Sequence, residues 1–92
     1  MQLQVGVKAF LRNSEGKVLL LQRSAKYEHL EGNWDIPGGR INPGLSWLEN
    51  LKREIKEETR LDLHSEPTLI AAQDILPPEK HIVRLTFLGN IE

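Results

Sequence analysis

The sequence predicts an α+β fold, with strands gathered around one amphipathic helix. Three observations carry this reading. Residues 3–11 and 81–88 alternate apolar and polar, the two-residue period of a half-buried strand. From Ser46 the period becomes helical, with Leu48, Leu51 and Ile55 at i, i+3 and i+7 forming one apolar stripe. At 92 residues the chain suits a single domain, 1–92, with a modest core.

The elements follow in order. Leu3, Val5, Val7, Ala9 and Leu11 point to one face, and Gln4, Gly6, Lys8 and Phe10 to the other. "NSEGK" at 13–17 is a turn, with Asn, Ser and Gly suited to its dihedrals. "VLLLQR" at 18–23 reads as a strand covered on both faces, forming a hairpin with the first. Residues 24–33 read as a surface loop. "WDIPGGRI" is a short extended piece interrupted at Pro37-Gly38-Gly39, and Trp34 is expected in the core beside the glycine pair. "NPG" at 42–44 is a turn. Ser46, with Glu49 three residues on, opens the helix as a capping box. "HSEP" breaks the helical pattern, "TLIAAQDIL" reads as a strand, "PPEK" as a loop, and "HIVRLTFL" as a final strand with Val83, Leu85 and Phe87 on one face. The order is β-β-(short β)-α-β-β, with no repeat, low-complexity run or linker.

Composition narrows the function classes. A hydrophobic fraction of 39% and a charged fraction of 27% suit a soluble globular chain. Twelve Lys and Arg against 13 Asp and Glu leave a net charge of −1. That balance gives no reason to expect nucleic-acid or membrane binding. The chain has no Cys, which excludes disulfides and thiolate metal sites. "MQLQVGVKAF" lacks a basic leader followed by an apolar run, and no stretch is apolar enough to span a bilayer, so a cytoplasmic protein is expected. His29, His64 and His81 show no ligand spacing and are expected in surface or loop roles.

The chemistry sits in "LKREIKEETRL", 51–61. At about 100° per residue, Glu54, Glu57 and Glu58 fall within roughly a 100° arc beside the apolar stripe. Lys52, Lys56 and Glu49 fall on the solvent side. Three carboxylates that close repel one another unless a cation intervenes. Two readings follow: a solvated, Glu-rich face, or a site for a hard divalent ion, which prefers oxygen ligands and shares one or two carboxylates with phosphates. Arg53 can pair with a carboxylate or a phosphate. Gly38 and Gly39, just ahead of the helix, allow the backbone to approach a charged ligand closely.

These residues resemble the Nudix box, G-x5-E-x7-R-E-U-x-E-E-x-G-U with U a bulky aliphatic residue. The match runs over "GRINPGLSWLENLKREIKEETRL", where Gly39, Arg53, Glu54, Ile55, Glu57, Glu58 and Leu61 keep the spacing. "WDIPGG" and "VLLLQR" are also similar to family members. Two positions depart. The first Glu of the pattern is Leu45, so Arg53 loses an orienting partner and is expected to turn to Glu57 or solvent. The last Gly is Arg60, where a left-handed residue often follows the helix; Arg there costs about 1 kcal/mol, or the helix ends differently.

The resemblance implies an α/β/α sandwich with a mixed sheet, incomplete at the C-terminus, because family domains continue with further strands and a helix. It implies hydrolysis of a nucleoside diphosphate linked to another moiety, with Mg²⁺ or Mn²⁺ as cofactor and a small nucleotide-like diphosphate as substrate. By position, Glu57 and Glu58 become metal ligands with the Gly38 carbonyl. Glu54 becomes a further ligand or the base that orients water, and Arg53 positions a carboxylate. Gly38, Gly39 and Arg23 fall on the substrate side, and Tyr27 lies in the same region. The alternative is a non-catalytic Nudix-like module that binds a nucleotide or a protein. With its usual neighbours missing, "HIVRLTFL" is expected to leave an apolar sheet edge open and to favour homo-oligomers.

Overall fold

The computed structural model describes residues 1–22 and 34–91. Along the chain run β1 (Gln2–Arg12), β2 (Leu21–Gln22), β3 (Trp34–Asp35), β4 (Gly38–Arg40), α1 (Trp47–Thr59), β5 (Thr68–Ile75) and β6 (Lys80–Asn90). Four strands form one mixed sheet in the order β4-β1-β6-β5. β1 and β6 are parallel along their whole length, while β4 and β5 join antiparallel on either side. β2 and β3 pair separately.

The alternation read in β1 sets the core. Val7, Ala9 and Leu11 are fully buried, and the parallel register places Leu85 and Phe87 beside Val7 and Ala9 on the same face. Helix α1 lays Leu51 and Ile55 onto that face. Trp47 stacks flat on Phe87, with ring centroids 4.4 Å apart, and ties the first turn of the helix to β6. These contacts fix the helix over the β1–β4 side of the sheet, so its carboxylate arc faces the Gly38-Gly39 strand.

The ends of α1 follow local rules. Ser46 is the N-cap, and its Oγ accepts from the Glu49 N–H at 3.1 Å. The expected capping box is half formed: the Ser46 hydroxyl donates to the Glu49 carboxylate at 3.2 Å, which ties the two side chains together. At the other end Arg60 is left-handed, φ 67°, and its N–H closes on the Lys56 carbonyl. The chain therefore adopts the conformation a glycine would take, with an arginine.

Three expectations are corrected. Residues 18–23 are not a continuous covered strand: in the described part only Leu21–Gln22 is extended and paired, and Val18 and Leu20 are 37% and 47% exposed. The cause is competition for β1. Its outer edge is taken by β4 at residues 6–8 and by the Pro37 carbonyl at Ala9, which leaves only a bridge at Arg12–Val18 and the Leu19 N–H to Leu11 carbonyl bond. Trp34 is 63% exposed on β3 rather than in the core, because β3 pairs with β2 and lies outside the main sheet. β6 is an interior strand, held by β1 and β5, so the edge on this side is β5.

Candidate functional site

The site is built where β4 passes the first face of α1. Gly38 has φ 150° and runs so close to β1 that a Cβ would stand 2.1 Å from the Val7 carbonyl oxygen. Gly39 faces the helix: a Cβ there would meet the Glu54 carboxylate at 2.8–2.9 Å. The pair thus lets backbone reach both β1 and Glu54, an approach that side chains at 38 and 39 would block. Pro37 and Lys8 hold this loop from behind. Lys8 Nζ, on β1, donates to Asp35 at 3.0 Å and to the Ile36 carbonyl at 3.3 Å.

The structure brings Glu54 and Glu58 to the Gly38-Gly39 strand, while Glu57, 61% exposed, joins them through Arg53. Arg53 Nη1 donates to Glu54 at 2.9 Å and to Glu57 at 3.4 Å. Glu58 accepts from the Gly38 N–H at 2.8 Å. Arg53 has turned to Glu57, as expected without an acidic residue 45, and also to Glu54. Leu45 itself is 42% exposed. Lys52, Lys56 and Glu49 lie on the exposed side. Arg23, Tyr27 and His29 lie outside the described residues.

Asn50 was not singled out in the sequence. It is fully buried, and its Oδ1 accepts from Arg53 Nη2 at 3.0 Å. Its signal was available: at about 100° per residue it falls on the same arc as Glu54 and Glu57. Lys8 and Asp35, which seat the glycine loop, carried no local signal, because their pairing spans 27 positions.

The donor set fits a hard divalent cation. All of it is oxygen, the carboxylates lie within about one helical turn, and a cationic guanidinium already bridges two of them. Among the described residues no three acidic or histidine side chains close around a single point. Mg²⁺ does not need such a cage, since it keeps waters and shares carboxylates with phosphates.

A mixed sheet, a glycine-bearing edge strand and an acidic helix arc define an α+β class. The Nudix domain family model matches residues 2–92, and the chain belongs to the Nudix family. It is 37% identical over 85 residues to 8-oxo-dGDP phosphatase NUDT18 of Homo sapiens, covering 91% of this chain and 24% of that protein. It is 34% identical over 58 residues to CTP pyrophosphohydrolase of Escherichia coli, covering 63% of this chain and 42% of that protein. Among solved structures, the MutT protein of Methanosarcina mazei superposes with a TM-score of 0.80 at 33% identity, covering 98% of this chain and 65% of that one. The E. coli ORF135 protein gives a TM-score of 0.81 at 26% identity, covering 97% and 61%. The chain therefore spans about a quarter of the length of the NUDT18 relative and about two thirds of the M. mazei structure. No helix among the described residues is long and apolar enough to cross a membrane.

Proposed function

We propose that this chain is a divalent-metal-dependent pyrophosphohydrolase acting on nucleoside diphosphates that carry another moiety. The observation that carries the reading is the approach of Glu54 to Gly39 and of Glu58 to the Gly38 N–H, with Arg53 spanning Glu54 and Glu57. A merely solubilising face would not set the Glu54 carboxylate so close to Gly39 that a Cβ there would meet it at 2.8–2.9 Å. The names of the relatives support the substrate class: one is a phosphatase of 8-oxo-dGDP, another a pyrophosphohydrolase of CTP.

In this proposal Glu57, Glu58 and the Gly38 carbonyl would hold Mg²⁺ or Mn²⁺. The bound ion supplies neutralisation of phosphate charge and a lowered pKa for water. Glu54, at 15% side-chain exposure, is kept in one orientation by Arg53 and accepts a proton from the attacking water. Water oxygen bonds to phosphorus, and the bridging P–O bond breaks, leaving two phosphate-bearing products. Gly38 and Gly39 line the path of the diphosphate, where backbone can approach it closely.

The test is nucleotide product formation, followed by chromatography, from a panel of nucleoside di- and triphosphates, nucleotide sugars and ADP-ribose, with Mg²⁺ and with chelator. Turnover that needs metal and disappears in Glu57→Gln supports the proposal. A folded chain that turns over nothing, yet binds nucleotide, would replace it with the binding-module reading.

A further inference from the structure

Asn50 is the one buried polar side chain among the described residues, and it is fully enclosed. Its amide is used completely. Nδ2 donates to the carbonyls of Ser46 at 2.8 Å, Leu45 at 3.2 Å and Asn42 at 3.4 Å. Oδ1 accepts from the Asn42 N–H at 2.7 Å and from Arg53 Nη2 at 3.0 Å. The orientation is forced, because flipping the amide would set its NH₂ against two donors and its oxygen against carbonyls.

Arg53 shows the other side of the same arrangement. Nη2 goes to Asn50 and Nη1 to Glu54 and Glu57, while Nε is buried with no partner. An unpartnered buried guanidinium nitrogen marks a missing acceptor. Position 45, where the family pattern has an acid that orients this arginine, holds Leu45. The Leu45 carbonyl lies directly against the Asn50 amide.

We propose that Asn50 is a positioning residue that replaces the missing acid at position 45: it holds Arg53 from inside the helix, and through Arg53 it sets Glu54 and Glu57. The physical consequence is specific. An oxygen acceptor on Arg53 Nη2 fixes the guanidinium while Nη1 stays on the two glutamates. The same amide clamps residues 42–46 to the helix, so the loop after β4 and the acidic arc move as one unit. The consequence for turnover rests on the hydrolase reading above; the contact with Arg53 does not.

The experiment compares wild type, Asn50→Asp, Asn50→Ala and Asn50→Ala with Leu45→Glu. It reads kcat and KM with Mg²⁺, thermal stability, and the NMR signals of the Arg53 side chain. Loss of a side chain that orients metal-site groups typically lowers activity about 10–100-fold. The expected result is a fall of that size in kcat for Asn50→Ala, with Arg53 signals that rotate freely. Asn50→Asp keeps the acceptor and loses the donors, so it should melt earlier yet keep Arg53 ordered and keep most of kcat. Leu45→Glu should restore kcat to Asn50→Ala. Arg53 signals unchanged in Asn50→Ala, or lost in Asn50→Asp as fully as in Asn50→Ala, would overturn the proposal. Should Asn50→Ala not fold, Asn50→Asp decides by the same Arg53 signals. If wild type shows no turnover, the hydrolase reading fails while the Arg53 signals still decide the role of Asn50.

Discussion

At the scale of single residues, two glycines and one arginine make opposite predictions. Gly39 faces only the tip of a flexible side chain, the Glu54 carboxylate at 2.8 Å. Gly39→Ala should therefore displace Glu54 and suppress turnover while leaving the melting temperature near wild type. Gly38 faces backbone at 2.1 Å, so Gly38→Ala should instead disrupt the β1–β4 pairing and be read as lost stability. Arg60 is left-handed without being glycine. Arg60→Gly should stabilise the chain by about 1 kcal/mol, or about 4–8 °C in a thermal melt of a domain this size. The strain at Arg60 was legible in the sequence because the box pattern places a glycine there. The role of Asn50 was not, because a polar residue on an acidic arc reads as one more solvated group until its burial is known.

At the scale of elements, α1 was the most legible part. Ser46 and the Leu48, Leu51, Ile55 stripe state its start and its buried face, since capping and periodicity are local. Ser46→Ala should cost about 1 kcal/mol, measurable by chemical denaturation. The apolar run at 18–23 predicts a covered strand because it says nothing about which edge of β1 is free. That edge is decided by β4 and Pro37, residues far along the chain. The open edge was placed on β6 for the same reason: an alternating strand carries no label for edge or interior. β5 is the edge, exposed along nearly its whole length, with Leu69 and Ile70 each 52% exposed, and Leu76 just beyond it is 68% exposed. Residues 68–75 contain no Lys, Arg or Pro, the usual protection of an edge. Concentration-dependent self-association is therefore expected in sedimentation, and Ile70→Lys should reduce it without lowering stability.

For the whole molecule, one small core carries both the fold and the site. Val7, Ala9, Leu11, Leu51, Ile55 and Phe87 hold α1 on the sheet, and only that placement brings the acidic arc to Gly38 and Gly39. Leu51→Ala should cost about 2–5 kcal/mol, a large share of the stability of a domain this size. The central claim is that this arrangement is a divalent-metal site. Its most direct test is a titration of Mn²⁺ into the chain, followed by electron paramagnetic resonance, beside Glu57→Gln and Glu58→Gln. The account predicts a saturable site that Mg²⁺ competes for and that both variants weaken at least tenfold. A folded wild type with no saturable Mn²⁺ site, or one indifferent to both substitutions, would contradict it.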